Sequence, residues 1–391
     1  MEFDSYASFV QLDQQNAQEL FRFGIINATS YADLEDTHST SHRRGLDVLR
    51  RAIESWRVHG PLAFVAHTGN VLSTENLASQ SQLASLAIYQ DAVRRSDCTQ
   101  WHVLPGSQDL RCLGADGVVM ITPNAPTPAT DRYYAFSPIK GWRVIILDAF
   151  DVSLIAHAAG SENHAAAASL LAQHNPTPAD AADPLKGLVG TARRWSPFGG
   201  GLSNAQMAWL SAQLDAAKAA NESVIILCHL NCLADSCAPE ALLFNYGEVL
   251  ALIDAHAGTV VAWICGSGVD GSYVCDSKGV HHIVPCAASN CGINEDAFGY
   301  VSVYSDRLKL NMSGRSPSLQ GRWPEGELVI SLGGKLITSD GSGTWEFGMM
   351  LIQMWLAVLG TLMTPINPLL RLVGALEEEE GKEEEREDDL V

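Results

Sequence analysis

An α/β fold is what this 391-residue chain predicts, and three observations carry that expectation. Short apolar runs alternate with segments of helical periodicity, and most apolar runs end in a polar or glycine-containing loop. Hydrophobic residues make up 47% of the chain against 18% charged, enough to fill a large core and too apolar for a disordered chain. Strand alternating with helix implies a largely parallel sheet covered by helices.

The elements follow in order. Residues 1–20 are polar and Gln-rich and read as a helix or loose arm. Residues 21–26 form an apolar strand that opens into a loop at 27–36. Leu46, Leu49, Ile53 and Trp56 recur at helical spacing, so one face of a helix turns inward. The run 62–66 leads to the turn Thr68-Gly69-Asn70, and a helix over 80–95 precedes a strand over 101–104 closed by Pro105-Gly106. An apolar strand at 142–147 stops at Asp148. An Ala-rich helix is expected over 157–173, followed by a Pro-rich loop to about residue 184. A second helix over 205–219 carries Met207, Leu210 and Leu214 on one side. Residues 224–227, 260–265 and 281–285 are further strands, and 298–305 with 308–312 a hairpin. In such sheets chemistry sits on the loops beyond the carboxyl ends of the strands.

The formal charge of −20 disfavours a nucleic-acid partner, whose phosphates are gripped by Lys and Arg. Residues 377–391 carry −8 of it, a block of like charge that repels itself and reads as a disordered acidic tail. The nine cysteines are odd in number and form no CxxC pair, which points to a reducing compartment on the cytosolic side. Cys228, Cys232 and Cys237 are the tightest cluster and read as buried or surface thiols rather than a zinc site. With Glu2 and Asp4, the N-terminus lacks the basic and apolar regions of a signal peptide, and it is not a transit peptide.

Specific text ties the chain to a family: FGIINATSYADLED from Phe23, RRAIESW from Arg50, YYAF from Tyr133 and WRVIILDAFDVS from Trp142. It continues with HNPTP from His174, FGGGLSNAQMAWL from Phe198, VIILCHL from Val224, FNY from Phe244 and AFGYVSVYSDRL from Ala297. In these segments the chain resembles the calcineurin-like metallophosphoesterases, and most closely the manganese-dependent ADP-ribose/CDP-alcohol diphosphatases. The resemblance implies a two-sheet sandwich flanked by helices over residues 21–318. It also implies two divalent cations at the sheet edge, which activate a hydroxide for in-line attack on phosphorus.

The family's ligands are another matter. Its first loop offers an aspartate, then one residue, then His or Gln; here those places hold Ala28 and Ser30. The bridging aspartate of its Gly-Asp loop is Asn70. Its Gly-Asn-His-Glu loop reads Gly106-Ser107-Gln108-Asp109, and its Gly-His-x-His loop reads Gly266-Ser267-Gly268-Val269. Only His229, after an apolar strand, survives of seven ligands, with Gln108 in place of the phosphate-stabilising imidazole. Hydroxyls and methyls do not hold hard dications, so no catalytic residue and no cofactor is expected, and Mn2+ only if a rearranged site is active. His229 itself reads as a relic ligand or as a residue that hydrogen-bonds across the old site. Nearby acids, Asp33, Asp36, Asp109, Asp148, Asp151 and Asp270, fit loop caps or helix starts. His67 and His102 fit satisfied core histidines. Around the substrate cleft, Asp33, Asp148, Asp151, Gly199, Gly200, Asn245, Tyr246 and Asp270 leave room for a residual pocket of nucleotide size.

Beyond about Pro317 the resemblance stops. Residues 319–344 read as a small β extension. Residues 345–376 hold an apolar helix: 347–370 contain no charged residue, a run of 24, though Pro365 shortens the usable span to 18. Gln353, Ala357, Gly360, Thr361 and Thr364 place small and polar groups on one face of that helix, which suits packing inside a bilayer or a protein groove. The sequence therefore points to an inactive metallophosphoesterase-like scaffold held at a membrane or protein partner. An active diphosphatase and a non-hydrolysing nucleotide-diphosphate binder are the alternatives.

Overall fold

A computed structural model describes residues 18–37, 41–98, 100–121, 132–315, 327–331 and 336–337, all within a unit spanning Met1–Ser339. Thirteen strands among them form two sheets. Strands β1 (Phe21–Ile26), β2 (Phe64–His67) and β3 (Trp101–Val103) run parallel, and β10 (Ala297–Val303) and β11 (Arg307–Gly314) continue that sheet antiparallel from β1. The backbones of β12 (Glu327–Ser331) and β13 (Leu336–Ile337) add two more strands at its edge. The second sheet runs β4 (Tyr134–Phe136), β5 (Trp142–Ile146), β6 (Ser223–Cys228), β7 (Val260–Cys265), β9 (His281–Val284), β8 (Ser272–Cys275), parallel from β5 through β9.

The two sheets face each other across an apolar layer. Phe23 and Phe64 stack at 4.6 Å in a cluster with Val144, Ile146, Ile225, Leu227 and Ile264. Each of these large side chains removed from water contributes about 1.5–3 kcal/mol, which fixes the strand register because a one-residue slip would turn them outward. Ile26, His67 and Val103 lie in register, as do Cys228 and Cys265, so the loops that follow these strands leave each sheet together.

Helices cover the outer faces. Helix α1 (Arg44–His59) buries Leu46, Leu49, Ile53 and Trp56, the stripe its spacing predicts, and ends at Gly60 with φ 100°. Helix α2 spans Gln82–Arg94. Helix α3 (Ser107–Gly117) and helix α6 (Tyr246–Asp254) were not foreseen; Gly106, Gly114 and Gly117 in and beside the first weaken its sequence signal. Helix α4 (Glu162–His174) begins five residues later than expected. Gly160 at φ 87° breaks the chain, and Ser161 then caps the helix by accepting from the His164 N–H. Helix α5 (Asn204–Ala219) is capped the same way by Ser203.

The apolar run 347–370 and the acidic tail 377–391 lie outside the described residues. Among the described residues no helix is long and apolar enough to cross a membrane.

Candidate functional site

Five loops converge where the parallel strands of both sheets end. They are the loops after β1, β2, β3, β6 and β7, which the sequence identifies with the ligand loops. Backbone hydrogen bonds lace them together. Ala28 N–H donates to the Gly69 carbonyl at 3.1 Å, Ser30 N–H to Asn70 at 2.8 Å, and Gly266 N–H to His229 at 3.1 Å. Asn27 sits at the centre with its side chain buried. Its Nδ2 donates to the carbonyls of Pro285 (2.7 Å) and Gly268 (3.1 Å), while its Oδ1 accepts from Thr68 Oγ1 at 2.9 Å.

The backbone of these loops is bent in an unusual way. Ala28 (φ 45°), Ser30 (φ 38°), Asn70 (φ 54°) and Ser267 (φ 61°) all occupy the left-handed region, and each is a position where the family's pattern has a metal ligand. Left-handed backbone costs a residue with a Cβ about 1–2 kcal/mol and persists only where the surroundings impose it. Left-handed backbone thus recurs at positions that the resemblance assigns to ligands, and none of these four side chains is a carboxylate or an imidazole. Glycine is required at two of the crossings. A Cβ at Gly106 would collide with Asn70, and one at Gly266 would collide with the Thr68 carbonyl and the His229 ring.

His229 is 1% exposed. Its Nδ1 lies 2.6 Å from the Thr68 carbonyl, which can only accept, so Nδ1 carries the proton. Burial pushes the ring's pKa down to about 4, leaving it neutral, and Nε2 therefore presents a bare lone pair with no partner among the described residues. Of the two readings of His229, the hydrogen bond across the loops is present, from Nδ1 to the Thr68 carbonyl. Asn70 turns its Oδ1 towards α3, where Gln108 N–H donates at 3.1 Å. Ser30, Ser107 and Ser267 are half-buried, and Val269 is 56% exposed.

Asp109 is the buried acid of the site, yet it works as a fastener. Its Oδ1 accepts from Leu72 N–H and its Oδ2 from Gly106 N–H, both at 2.9 Å, which ties the second loop to the start of α3. Burial pushes its carboxyl up to about 6 against the opposing pull of these N–H groups. An acid three residues after the cap position was the available signal for this role. Asp36 caps likewise, accepting from Ser41 Oγ (2.8 Å) and His42 N–H (2.9 Å) ahead of α1.

The residues expected around a residual pocket fall into two groups. Asp33 pairs with Arg43 at 3.1 Å and Asp270 with Arg315 at 2.9 Å, both at the surface. Asp148 and Asp151 are instead consumed by the fold. Asp148 forms a buried ion pair with Arg132 at 2.7 Å, and Asp151 accepts from Gln206 Nε2, Asn163 Nδ2 and Ser203 N–H. Gly199 and Gly200 lie against Phe244 and the Ala149 carbonyl, where a Cβ does not fit. Asn245 pairs both ways with the Leu202 backbone, and Tyr246 packs under Arg194. His67 is satisfied at both nitrogens, by Gly69 N–H and Thr29 Oγ1.

These donors can be tested against a pair of divalent cations. One imidazole nitrogen, one amide oxygen and three hydroxyls carry no net charge, and no carboxylate bridges. Among the described residues no three His, Cys, Asp or Glu side chains come together to hold a metal ion. The residues present do not fit the two-metal centre that the resemblance implies.

Comparison with known proteins gives a consistent result. A manganese-dependent ADP-ribose/CDP-alcohol diphosphatase from Arabidopsis thaliana is 33% identical over 300 residues, covering 75% of this chain and 94% of that protein. The human protein of the same description is 28% identical over 327 residues, covering 77% and 92%. A dimetal phosphatase structure from Danio rerio superposes with a TM-score of 0.73 at 24% identity, over 81% of this chain and all of that one. No family model matches the chain.

Proposed function

The chain belongs to the manganese-dependent ADP-ribose/CDP-alcohol diphosphatase family, and from that premise we propose that it is a member that no longer hydrolyses its relatives' substrates. The observation that supports this reading is the mismatch at the five loops. Three of them carry left-handed backbone, at Ala28, Ser30, Asn70 and Ser267, while a single imidazole stands where two dications need several charged ligands. The body is then kept for its surfaces, as a scaffold or subunit of a complex.

The test is metal analysis of the purified protein beside hydrolysis of ADP-ribose with added manganese. Less than one tightly bound ion and no turnover are expected. Manganese-dependent hydrolysis that disappears in His229→Ala would establish the active reading instead. A second reading, binding of a nucleoside diphosphate without cleavage, draws on the free Nε2 of His229. Equilibrium dialysis with ADP-ribose in the absence of metal decides it.

The apolar run 347–370 supports a proposed attachment to a protein partner or membrane, because so much uncharged surface is rarely left in water. Deletion from Trp345 onward should leave a folded, soluble body that loses its native association. Aggregation of that truncated protein would place the run in the domain's own core.

A further inference from the structure

At one edge of the sandwich the two sheets end side by side. β3 is the last strand of the seven-stranded sheet and β4 the first of the six-stranded one, each three residues long. Between them opens a cleft of about 370 Å³ lined by Phe64, Gln100, His102, Tyr134, Phe136 and Pro138. We propose that this cleft binds one small, uncharged, planar heteroaromatic ring of nucleobase size, at a site separate from the relic ligand loops.

The cleft's walls are aromatic and fixed. The His102 ring lies flat on Phe136 at 4.2 Å and 10°, and Phe64 stands edge-on to both, at 5.5 Å and 5.3 Å. Planar rings gain from offset-stacked and edge-to-face contact beyond the area they bury, so such a corner favours a flat ligand over an aliphatic one of equal size. Among the described residues no Asp, Glu, Lys or Arg lines the cleft, which disfavours a phosphate or any other charged group. The volume falls in the range of small-ligand sites and admits a ring or two fused rings, not a dinucleotide.

One polar group is left open inside this apolar setting. His102 is 5% exposed, and its Nδ1 is engaged by the Tyr134 hydroxyl at 2.7 Å. Its Nε2 makes no hydrogen bond to any described residue, although the ring lines the cleft. Burial pushes the imidazole's pKa down to about 4, so the ring is neutral and Nε2 takes whichever role, donor or acceptor, Nδ1 does not. Nε2 is thus open to water in the cleft, and a heteroaromatic edge, which carries both donors and acceptors, can take the place of that water. At the mouth, exposed Gln100 offers an amide with both functions. The site lies towards the end where the strands begin: Ala63 and Gln100 precede β2 and β3, whereas the relic loops follow them.

Calorimetric titration of the full chain with adenine tests the proposal, with cyclohexanecarboxamide as an uncharged, non-aromatic control. Adenine is expected to bind with Kd of about 1 mM or tighter, as its size allows, and the control at least about tenfold more weakly. His102→Phe keeps the ring stack and removes Nε2, so it should weaken adenine at least about fivefold. Phe136→Ala should weaken it about tenfold or more, read only if its thermal melt shows a folded protein. No heat from adenine at millimolar concentration overturns the proposal. So does equal binding of the control, or adenine binding that survives His102→Phe.

Discussion

Acidification from pH 7 to pH 5 should destabilise this protein sharply, because it buries imidazoles in their neutral form. Burial holds His67 at about 3 and His102, His229 and His281 at about 4, against an ordinary value of 6.5. Each ring's folded value lies below its unfolded one. The unfolded chain therefore takes up protons from about pH 6.5 downward while the folded chain does not, and stability falls until the folded value is reached. At pH 5 each such ring costs about 2 kcal/mol relative to pH 7. Asp109 acts in the opposite sense. Its carboxyl is raised from 3.8 to about 6, so the folded state gains as pH falls through 6, by about 1 kcal/mol at pH 5. The net expectation over the four rings and Asp109 is a loss of about 6 kcal/mol, a large part of a typical domain's stability. Urea denaturation at pH 7, 6 and 5, with the slope held in common, measures it. A midpoint that does not move between pH 7 and 5 would refute the claim that these rings stay neutral in the fold.

Three further outcomes are expected. Arg132→Met leaves Asp148 buried without its cation and should lower stability by about 3–5 kcal/mol, visible in the same urea curves, with Asp148→Asn in the same chain recovering part of the loss. Ala28→Gly relieves a left-handed residue but loosens the unfolded chain, for a net gain of about 0.5–1 kcal/mol and a Tm higher by about 2 °C; a lower Tm would mean that the strain is not there. Asn70→Asp on its own should not produce manganese-dependent turnover, since both ions must be placed together. Measurable hydrolysis by that variant would show that the other four loops retain more ligands than proposed.

The sequence by itself determined most of the order of strands and helices through residue 315, but it missed the short strands β4 and β8 and the helices α3 and α6. It determined the rest because apolar periodicity reports directly on which side of an element faces the core: Leu46, Leu49, Ile53 and Trp56 form α1's buried stripe as their spacing requires. Matched text on both sides of each ligand position located the five loops as well. Only the tertiary structure decided what the residues in those loops do. The left-handed backbone at Ala28, Ser30 and Ser267 has no signature in those residue types, and at Ala28 and Ser30 it is held by hydrogen bonds to Gly69 and Asn70, distant in sequence. Asp148 and Asp151 read as pocket acids along the chain, but Arg132, Gln206 and Asn163 reach them across the fold and use up their oxygens. The cleft at the sheet edge is likewise invisible in sequence. His102 and Phe136 are 34 positions apart, and only the packing of one sheet on the other sets their rings face to face.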